Sequence, residues 1–477
     1  MGFNTIWYIL FLPLIVGAYY LINHKYRWIL LLSASYFFYG FYEPTFLLLM
    51  FSITLVAYFA GYILHNKKSK TILILAVVIV LSHLLFFKYV EWFHQIVNDV
   101  LGLFTGNNTT FSWSFGSLIL PIGISFYTFQ GISYIVDVYK ERIKRETHLG
   151  HFALYISFFP QLVAGPIESP GFLIPQFKNK VTLSWANFSE GSKLILLGFF
   201  KKIVIADSLV IFVDNVFNRL DSPETKGFEV YLAIVGFVYY VYIDFSAYCD
   251  IAMGSARYFG IKLSQNFFKP FSSINVREFW RRWHATLSIW VKNYLFIPMG
   301  GVVKNNNLKT LFNVLFVFII IGLWHGASNN FFFFGLIAGI YMILDASTKN
   351  LRYKFFNKIN FTNDKLIPRF IFKFVTFSLF LSVAIFARIT DFNDLTIIIK
   401  KLLHFFSDFN FKLDAFIIVG TTFFITEGIN YFSKNGKFHP FDSIKNSYFR
   451  ISFYVLLIFI ILIFSVNESA NFYYFRF

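Results

Sequence analysis

Two histidines stand in settings where an imidazole can move protons. His325 lies in Gly322-Leu323-Trp324-His325-Gly326-Ala327-Ser328-Asn329-Asn330, a polar knot between two strongly apolar runs. Counted from Leu311, about 21 Å of helix at about 1.5 Å per residue leads to it, deep inside a hydrocarbon layer of roughly 30 Å. An ionisable side chain at that depth is expensive and marks a functional site by default. Gly326 and Ala327 beside it leave space for backbone or substrate to approach the ring. A lone deep histidine also serves as a hydrogen-bonded packing residue, and at this point both roles stand.

His284 is the second, in the segment Val276 to Ser288. Wound as a helix, Arg277, Arg281, His284 and Ser288 fall on one polar stripe at i, i+4, i+7 and i+11. Glu278 precedes Arg282 by four, the favourable order for a helical ion pair. Such a segment is an interfacial helix, with arginines on headgroup phosphates and indoles in an aromatic belt. It is equally a cationic wall that steers a phosphate-bearing acyl donor toward His284, because guanidinium forks match phosphate geometry. The two accounts can both hold.

Asp244 and Asp250 interrupt the apolar stretch Tyr242 to Asp250. Asp244 shares a helical face with Tyr248, which suits a hydrogen-bonded structural pair; polarising a catalytic group is the other use of a carboxylate at this depth. Cys249 is the single cysteine. It excludes an internal disulfide and a thiolate cluster, and its apolar surroundings suit a small buried hydrophobe. There is no glycine-rich phosphate loop, no Gly-x-Ser-x-Gly elbow and no histidine pair at helical ligand spacing. No metal site is expected.

The elements that must position these groups are membrane helices. Of 477 residues, 57% are hydrophobic, 22% aromatic and 14% charged, against roughly 25% charged in a soluble domain. With a mean hydropathy of +0.60, a water-soluble globule is ruled out. The net charge of +17, from 42 basic and 25 acidic residues, has its home in short loops facing anionic lipid headgroups. No soluble basic module is present to bind nucleic acid.

Apolar runs recur at 6–22, 28–41, 45–64, 71–87, 115–136, 150–165, 193–213, 228–256, 311–324, 330–346, 369–388, 415–432 and 450–467. They predict an all-α integral membrane protein, a polytopic bundle of about 11 to 13 transmembrane and re-entrant helices around a central tunnel. Residues 1–477 form one unit, without repeat or linker, and the first run reads as a retained span rather than a signal peptide. The basic loops His24 to Arg27 and Asn66 to Lys70 fall on one side, which the positive-inside tendency makes cytoplasmic. Both termini are then expected outside, as is the segment 88–114, while Lys140 to Arg145 and the loop bearing Lys434, Lys437, Lys445 and Arg450 fall inside.

The order of segments resembles the membrane-bound O-acyltransferase family. The resemblance is carried by Pro121 to Gln130, Phe159 to Ile167, the Asp244 segment, Arg277 to Ser288, Tyr294 to Gly301 and Trp324-His325-Gly326-Ala327. Within the family the chain is similar to the bacterial branch of alginate and peptidoglycan O-acetyltransferase membrane subunits, although Ala247 and Cys249 stand where that branch carries Gly and Ser. The resemblance implies that His325 is the catalytic histidine and His284 a second polar position of the site. Arg277, Arg281, Trp324, Ser288 and Asp244 are then expected to bind the donor or line the tunnel. The ending Phe472-Tyr473-Tyr474-Phe475-Arg476-Phe477 is similar to the Phe-x-Tyr-x-x-Phe motif of the small peptide that works beside the D-alanyl transferase of teichoic acids. By that similarity Tyr474, in an outward-facing tail over 467–477, would carry the acyl group transiently.

The expected reaction is an acyl relay across a bacterial cytoplasmic membrane. An acyl group, acetyl by resemblance, leaves a cytoplasmic thioester, either acetyl-coenzyme A or an acyl-carrier protein, with no tightly bound cofactor. A neutral imidazole takes the proton of an attacking hydroxyl in a passage where water is scarce. The acceptor is Tyr474 or an outward hydroxyl, then an extracytoplasmic esterase-like SGNH partner or an envelope polysaccharide such as peptidoglycan or an alginate-like exopolysaccharide. D-alanyl transfer to teichoic acid, a transporter of an envelope precursor and a scaffold for polysaccharide export are the rivals. The transporter is disfavoured because no paired broken segments occur in two matching halves.

Overall fold

The computed structural model describes residues 1–41, 43–105, 120–304, 306–362, 364–389, 391–434, 437–438, 446–465 and 472–473. Its first half contains α1 (Ile6–Leu21), α2 (Arg27–Gly40), α3 (Phe46–Asn66), α4 (Lys70–Thr105), α5 (Ile124–Tyr139), α6 (Leu149–Ser157), α7 (Pro170–Lys178), α8 (Trp185–Phe199) and α9 (Asp207–Phe217). Then come α10 (Gly227–Tyr258), α11 (Val276–Arg282), α12 (Ala285–Val291), α13 (Asn307–His325), α14 (Asn329–Lys358), α15 (Leu366–Ala384), α16 (Phe392–Leu403), α17 (Leu413–Phe432) and α18 (Ser447–Phe464). Between α17 and α18 a two-residue antiparallel ladder pairs Ser433 with Phe438 and Lys434 with Lys437.

Among the described residues, eight helices are long and apolar enough to cross a bilayer: Phe46–Asn66, Lys70–Thr105, Gly227–Tyr258, Asn307–His325, Asn329–Lys358, Leu366–Ala387, Leu413–Tyr431 and Ser447–Phe464. The chain is a multi-pass, all-α membrane protein. The runs 6–22, 28–41, 150–165 and 193–213 fold as shorter helices. Helix α4 continues well past the apolar run at 71–87, so much of the expected outer segment 88–114 is helical to Thr105, and 106–114 lies outside the described residues.

Burial sorts these helices into a centre and a rim. In the most apolar window of α10, 83% of residues are buried inside the protein, against 17% for α4 and 6% for α18. Helix α10 is therefore the axis of the core, while α4 and α18 leave Leu, Ile and Phe side chains outward for lipid. A helix that is apolar all round is stable only when neighbours or acyl chains cover it.

Two local features set the position of the chemistry. Helix α13 starts where the Asn306 side chain accepts from the Lys309 amide at 2.9 Å, a standard N-terminal cap, and ends at His325. It crosses α14 at Gly322 and Gly335, where a Cβ on either glycine would collide with backbone of the other helix. That crossing fixes the last turn of α13, and with it the imidazole. The second feature is the break between α11 and α12, where His284 sits at φ 46°.

Candidate functional site

His325 is half-buried at the C-terminal end of α13. Its ring packs against Trp324 at 4.8 Å between centroids and edge-on to Phe334 at 5.5 Å. It lines two small cavities. One, of about 20 Å³, is shared with Lys88, Ser125, Phe126 and Trp324. The other, of about 40 Å³, is shared with Trp283, Phe331, Phe334, Phe380 and Tyr473. Each has room for roughly one to three waters or a small acyl group. Gly326, expected to let a substrate approach, instead faces the Phe331 ring, with no space for a Cβ.

Lys88 and Tyr89 reach over from α4 to the end of α13. The Lys88 ammonium donates to the Trp324 carbonyl, and the Tyr89 hydroxyl donates to the Leu323 carbonyl at 2.9 Å. The last carbonyls of a helix have no partner within it and form its negative pole. A cation there satisfies one of them and holds the turn that carries His325.

His284 does not lie on a continuous helical stripe. Helix α11 ends at Arg282, and α12 begins at Ala285 with His284 as a left-handed N-terminal cap. The expected alignment of Arg277, Arg281, His284 and Ser288 is thus corrected. The turn sends the imidazole inward, where it is 2% exposed, while Arg277 and Arg281 stay exposed. Ser288 donates to the Trp280 carbonyl at 2.8 Å, fastening α12 to α11 across the break. The Glu278–Arg282 pair forms at 2.5 Å.

Asn266 determines which nitrogen of His284 carries the proton. Its Oδ1 accepts from the Thr286 amide at 3.2 Å and the Thr286 hydroxyl at 3.0 Å, and it lies 3.1 Å from His284 Nδ1. An oxygen surrounded in this way is an acceptor, so Nδ1 bears the hydrogen and Nε2 keeps its lone pair. The ring faces Phe245 at 4.8 Å and Trp324 at 5.9 Å. The Trp324 indole therefore has both imidazoles as neighbours, and its other side stacks on Phe129 at 5.9 Å.

Asn266, Ala285 and Ser288 border a cavity of about 1400 Å³ that shares no lining residue with the two His325 cavities. Arg277, Arg281, Arg282, Lys201, Lys269 and Lys292 line it against one carboxylate, Asp250, together with Trp280 and Ser288. Lys201 is taken up by Asp250 at 2.7 Å. Among the described residues Arg277, Arg281 and Lys292 make no ion pair. So cationic a chamber, of this size, suits an anionic, phosphate-bearing ligand. A third, very small cavity shares Trp280 with the chamber and Phe380 with the larger His325 cavity.

Asp244, whose helical spacing pointed to Tyr248, is bonded by groups from distant segments. Its Oδ1 accepts from Lys202 Nζ at 2.8 Å and its Oδ2 accepts from the Tyr473 amide at 2.7 Å. Lys202 is fully buried, also pairs with Asp207 at 2.9 Å, and lies 4.5 Å over the Phe472 ring. Phe472 and Tyr473 are thus inserted in the core beside α10, whereas Tyr474 lies outside the described residues. Cys249 is buried and accepts a weak bond from Asn266. Among the described residues no group of three or more His, Cys, Asp or Glu could hold a metal.

Sequence reasoning misses Lys88, Lys202, Asn266 and Tyr473. Lys202 carries a usable signal, a charge inside the apolar run 193–213. Asn266 carries none, since it acts through a residue 18 positions away.

The family model described as MBOAT, membrane-bound O-acyltransferase family, matches residues 140–387, a span holding Lys202, Asp244, Asn266, His284 and His325. The chain is 35% identical over 347 residues to the probable alginate O-acetylase AlgI of Pseudomonas aeruginosa, covering 72% of this chain and 65% of that protein. It is 34% identical over 406 residues to the peptidoglycan O-acetyltransferase of Helicobacter pylori, covering 76% and 73%. Similarity to the teichoic acid D-alanyltransferase of Bacillus subtilis is lower, 29% over 252 residues, covering 51% and 61%. The chain thus spans just under two thirds of the length of the Pseudomonas aeruginosa relative.

Proposed function

The chain belongs to the membrane-bound O-acyltransferase family, and from that premise we propose that it O-acetylates an envelope polysaccharide with an acyl group taken from a cytoplasmic thioester. The observation that carries this is the position of His325, half-buried at the end of α13 and lining two small cavities, in a protein that also holds a separate cationic chamber. The chamber suits the phosphates of acetyl-coenzyme A or of a carrier-bound pantetheine. Acetyl is favoured over D-alanyl because the match to the two acetylases is higher in identity and longer than that to the D-alanyltransferase.

In the proposed step a hydroxyl oxygen attacks the thioester carbonyl while His325 accepts the hydroxyl proton. The carbon–sulfur bond then breaks, the thiolate recovers the proton from His325, and an ester is left on the acceptor. General-base help of this kind contributes about 10² to 10⁴ in rate. The apolar rings of Trp283, Phe334 and Phe380, which line the larger His325 cavity, keep water from the acyl group, which otherwise goes to hydrolysis.

The first acceptor in this scheme is the phenol of Tyr474. Its support is the Phe-x-Tyr-x-x-Phe ending and the place of the preceding residue, Tyr473, in the wall of the His325 cavity. From there the acetyl group passes to an SGNH-type esterase-like partner or directly to the glycan, outside the cytoplasmic membrane, with both termini on that side. The test is alkali-released acetate from envelope glycans of cells carrying His325→Ala or Tyr474→Phe. We expect loss in the first and strong reduction in the second. Normal acetate with His325→Ala overturns the proposal, and normal acetate with Tyr474→Phe removes the tyrosyl step alone.

A further inference from the structure

The buried Lys202–Asp244 pair is not explained by proton transfer at His325, and burying it is costly unless both charges are fully satisfied. Most of that satisfaction is internal. Lys202 lies in a wide π-type turn, Phe200–Ala206, and bridges Asp244 and Asp207. Both side chains also reach the C-terminal segment. The second oxygen of Asp244 takes the Tyr473 amide at 2.7 Å, and the Lys202 ammonium faces the Phe472 ring at 4.5 Å. Aromatic rings close around the same two residues: Tyr248 at 5.2 Å from Phe472, and Phe237 and Tyr240 at 5.6 and 5.7 Å from Tyr473. The Tyr473 hydroxyl donates to the Ala387 carbonyl at 3.0 Å.

We propose that Lys202 and Asp244 form a seat that grips the C-terminal segment by a backbone amide and a ring face, holding it at the His325 cavity. The grip on Tyr473 does not read its side chain, so the seat fixes the course of the chain one residue before Tyr474. Tyr473 itself lines the cavity that His325 lines, which makes the seat and the imidazole parts of one assembly. Asp244 and Lys202 are then positioning residues for acyl transfer; this rests on the proposed passage of the acyl group through the tail.

The seat can be broken from the tail side without disturbing the ion pair. Tyr473→Pro removes the donated N–H, whereas Tyr473→Ala removes the ring and keeps the N–H. Ester-linked acetate on envelope glycans should fall about tenfold with Tyr473→Pro and clearly less with Tyr473→Ala, at matched protein level. Asp244→Asn, which weakens the same contact and also takes the counter-charge from Lys202, should cost at least as much as Tyr473→Pro, and the double variant should be no worse than Asp244→Asn, because the Tyr473 contact is already lost. Hydrogen exchange of the purified full-length protein gives a readout independent of transfer. Asp244→Asn should speed exchange in the peptide ending at 477 while α10 stays protected, and His325→Ala should leave that peptide protected.

Equal acetate levels in Tyr473→Pro and Tyr473→Ala overturn the proposal, as do losses that multiply in the double variant or an unchanged tail peptide in Asp244→Asn. If His325→Ala keeps normal acetate, the proposed function fails, and the exchange measurement still decides whether the seat exists.

Discussion

Asn266 and His284 meet at 3.1 Å through Oδ1 and Nδ1, and the same oxygen holds both donors of Thr286. One side chain thereby sets the tautomer of a buried imidazole and anchors the first turn of α12. Asn266→Leu removes the acceptor and strands three donors, at about 1 to 3 kcal/mol for each buried group left unsatisfied. We expect lower thermal stability in detergent together with loss of acetyl transfer. Wild-type melting and transfer in Asn266→Leu would show that the network fixes nothing.

The two histidines should differ in degree. His325 lines the cavities in which a hydroxyl and a thioester can meet, while His284 is sealed against Asn266, Phe245 and Trp324. His325→Ala should cost about 10² to 10⁴ in transfer, the usual contribution of a general base. His284→Ala should cost less, by disturbing Trp324. Both are read as acetate released from glycan per unit of membrane protein, and the reverse order would reassign the base.

Legibility in the sequence differs from residue to residue. His325 stands out as a candidate because an ionisable group in an apolar run violates the local pattern. The helical bundle is legible for the same reason, through run length. The stripe over Arg277, Arg281, His284 and Ser288 fails because nothing local marks a left-handed residue at 284. There is no glycine or proline there, and the conformation is held by tertiary bonds to Asn266. Helical spacing points Asp244 to Tyr248 and gives no sign of the bonds it receives from positions 202 and 473. Spacing along one helix carries no information about the side chains that other segments bring to it.

The cationic chamber predicts a defect in donor binding rather than in chemistry. Arg277 and Arg281 are exposed and line a chamber that shares no lining residue with the His325 cavities. In proteoliposomes supplied with acetyl-coenzyme A, or with an acetylated carrier protein, Arg277→Gln and Arg281→Gln should each raise KM about tenfold with kcat little changed. The defect should deepen with added salt, because exposed charges are screened over about 8 Å at physiological ionic strength. A fall in kcat at constant KM would place these guanidiniums at the reacting centre instead.

Lys88 gives the opposite signature. Its ammonium caps the carbonyl end of α13 at Trp324 and shares the smaller His325 cavity with Ser125. Replacing it by methionine keeps the stem and removes the cation, so the last turn of α13 loses a favourable charge at its negative pole, worth about 0.3 to 2 kcal/mol. The turn that carries the imidazole then loosens, and with His325 as the proposed base a misplacement of about 1 Å costs about 10²-fold. Lys88→Met should therefore lower kcat while leaving the donor KM unchanged, because the large chamber is lined by other residues. Lys88→Arg, which keeps the charge but changes its reach, should recover part of the rate. If methionine at 88 leaves kcat intact, the Lys88 bond serves packing of α4 alone, and the orientation of His325 depends on the α13–α14 crossing at Gly322 and Gly335.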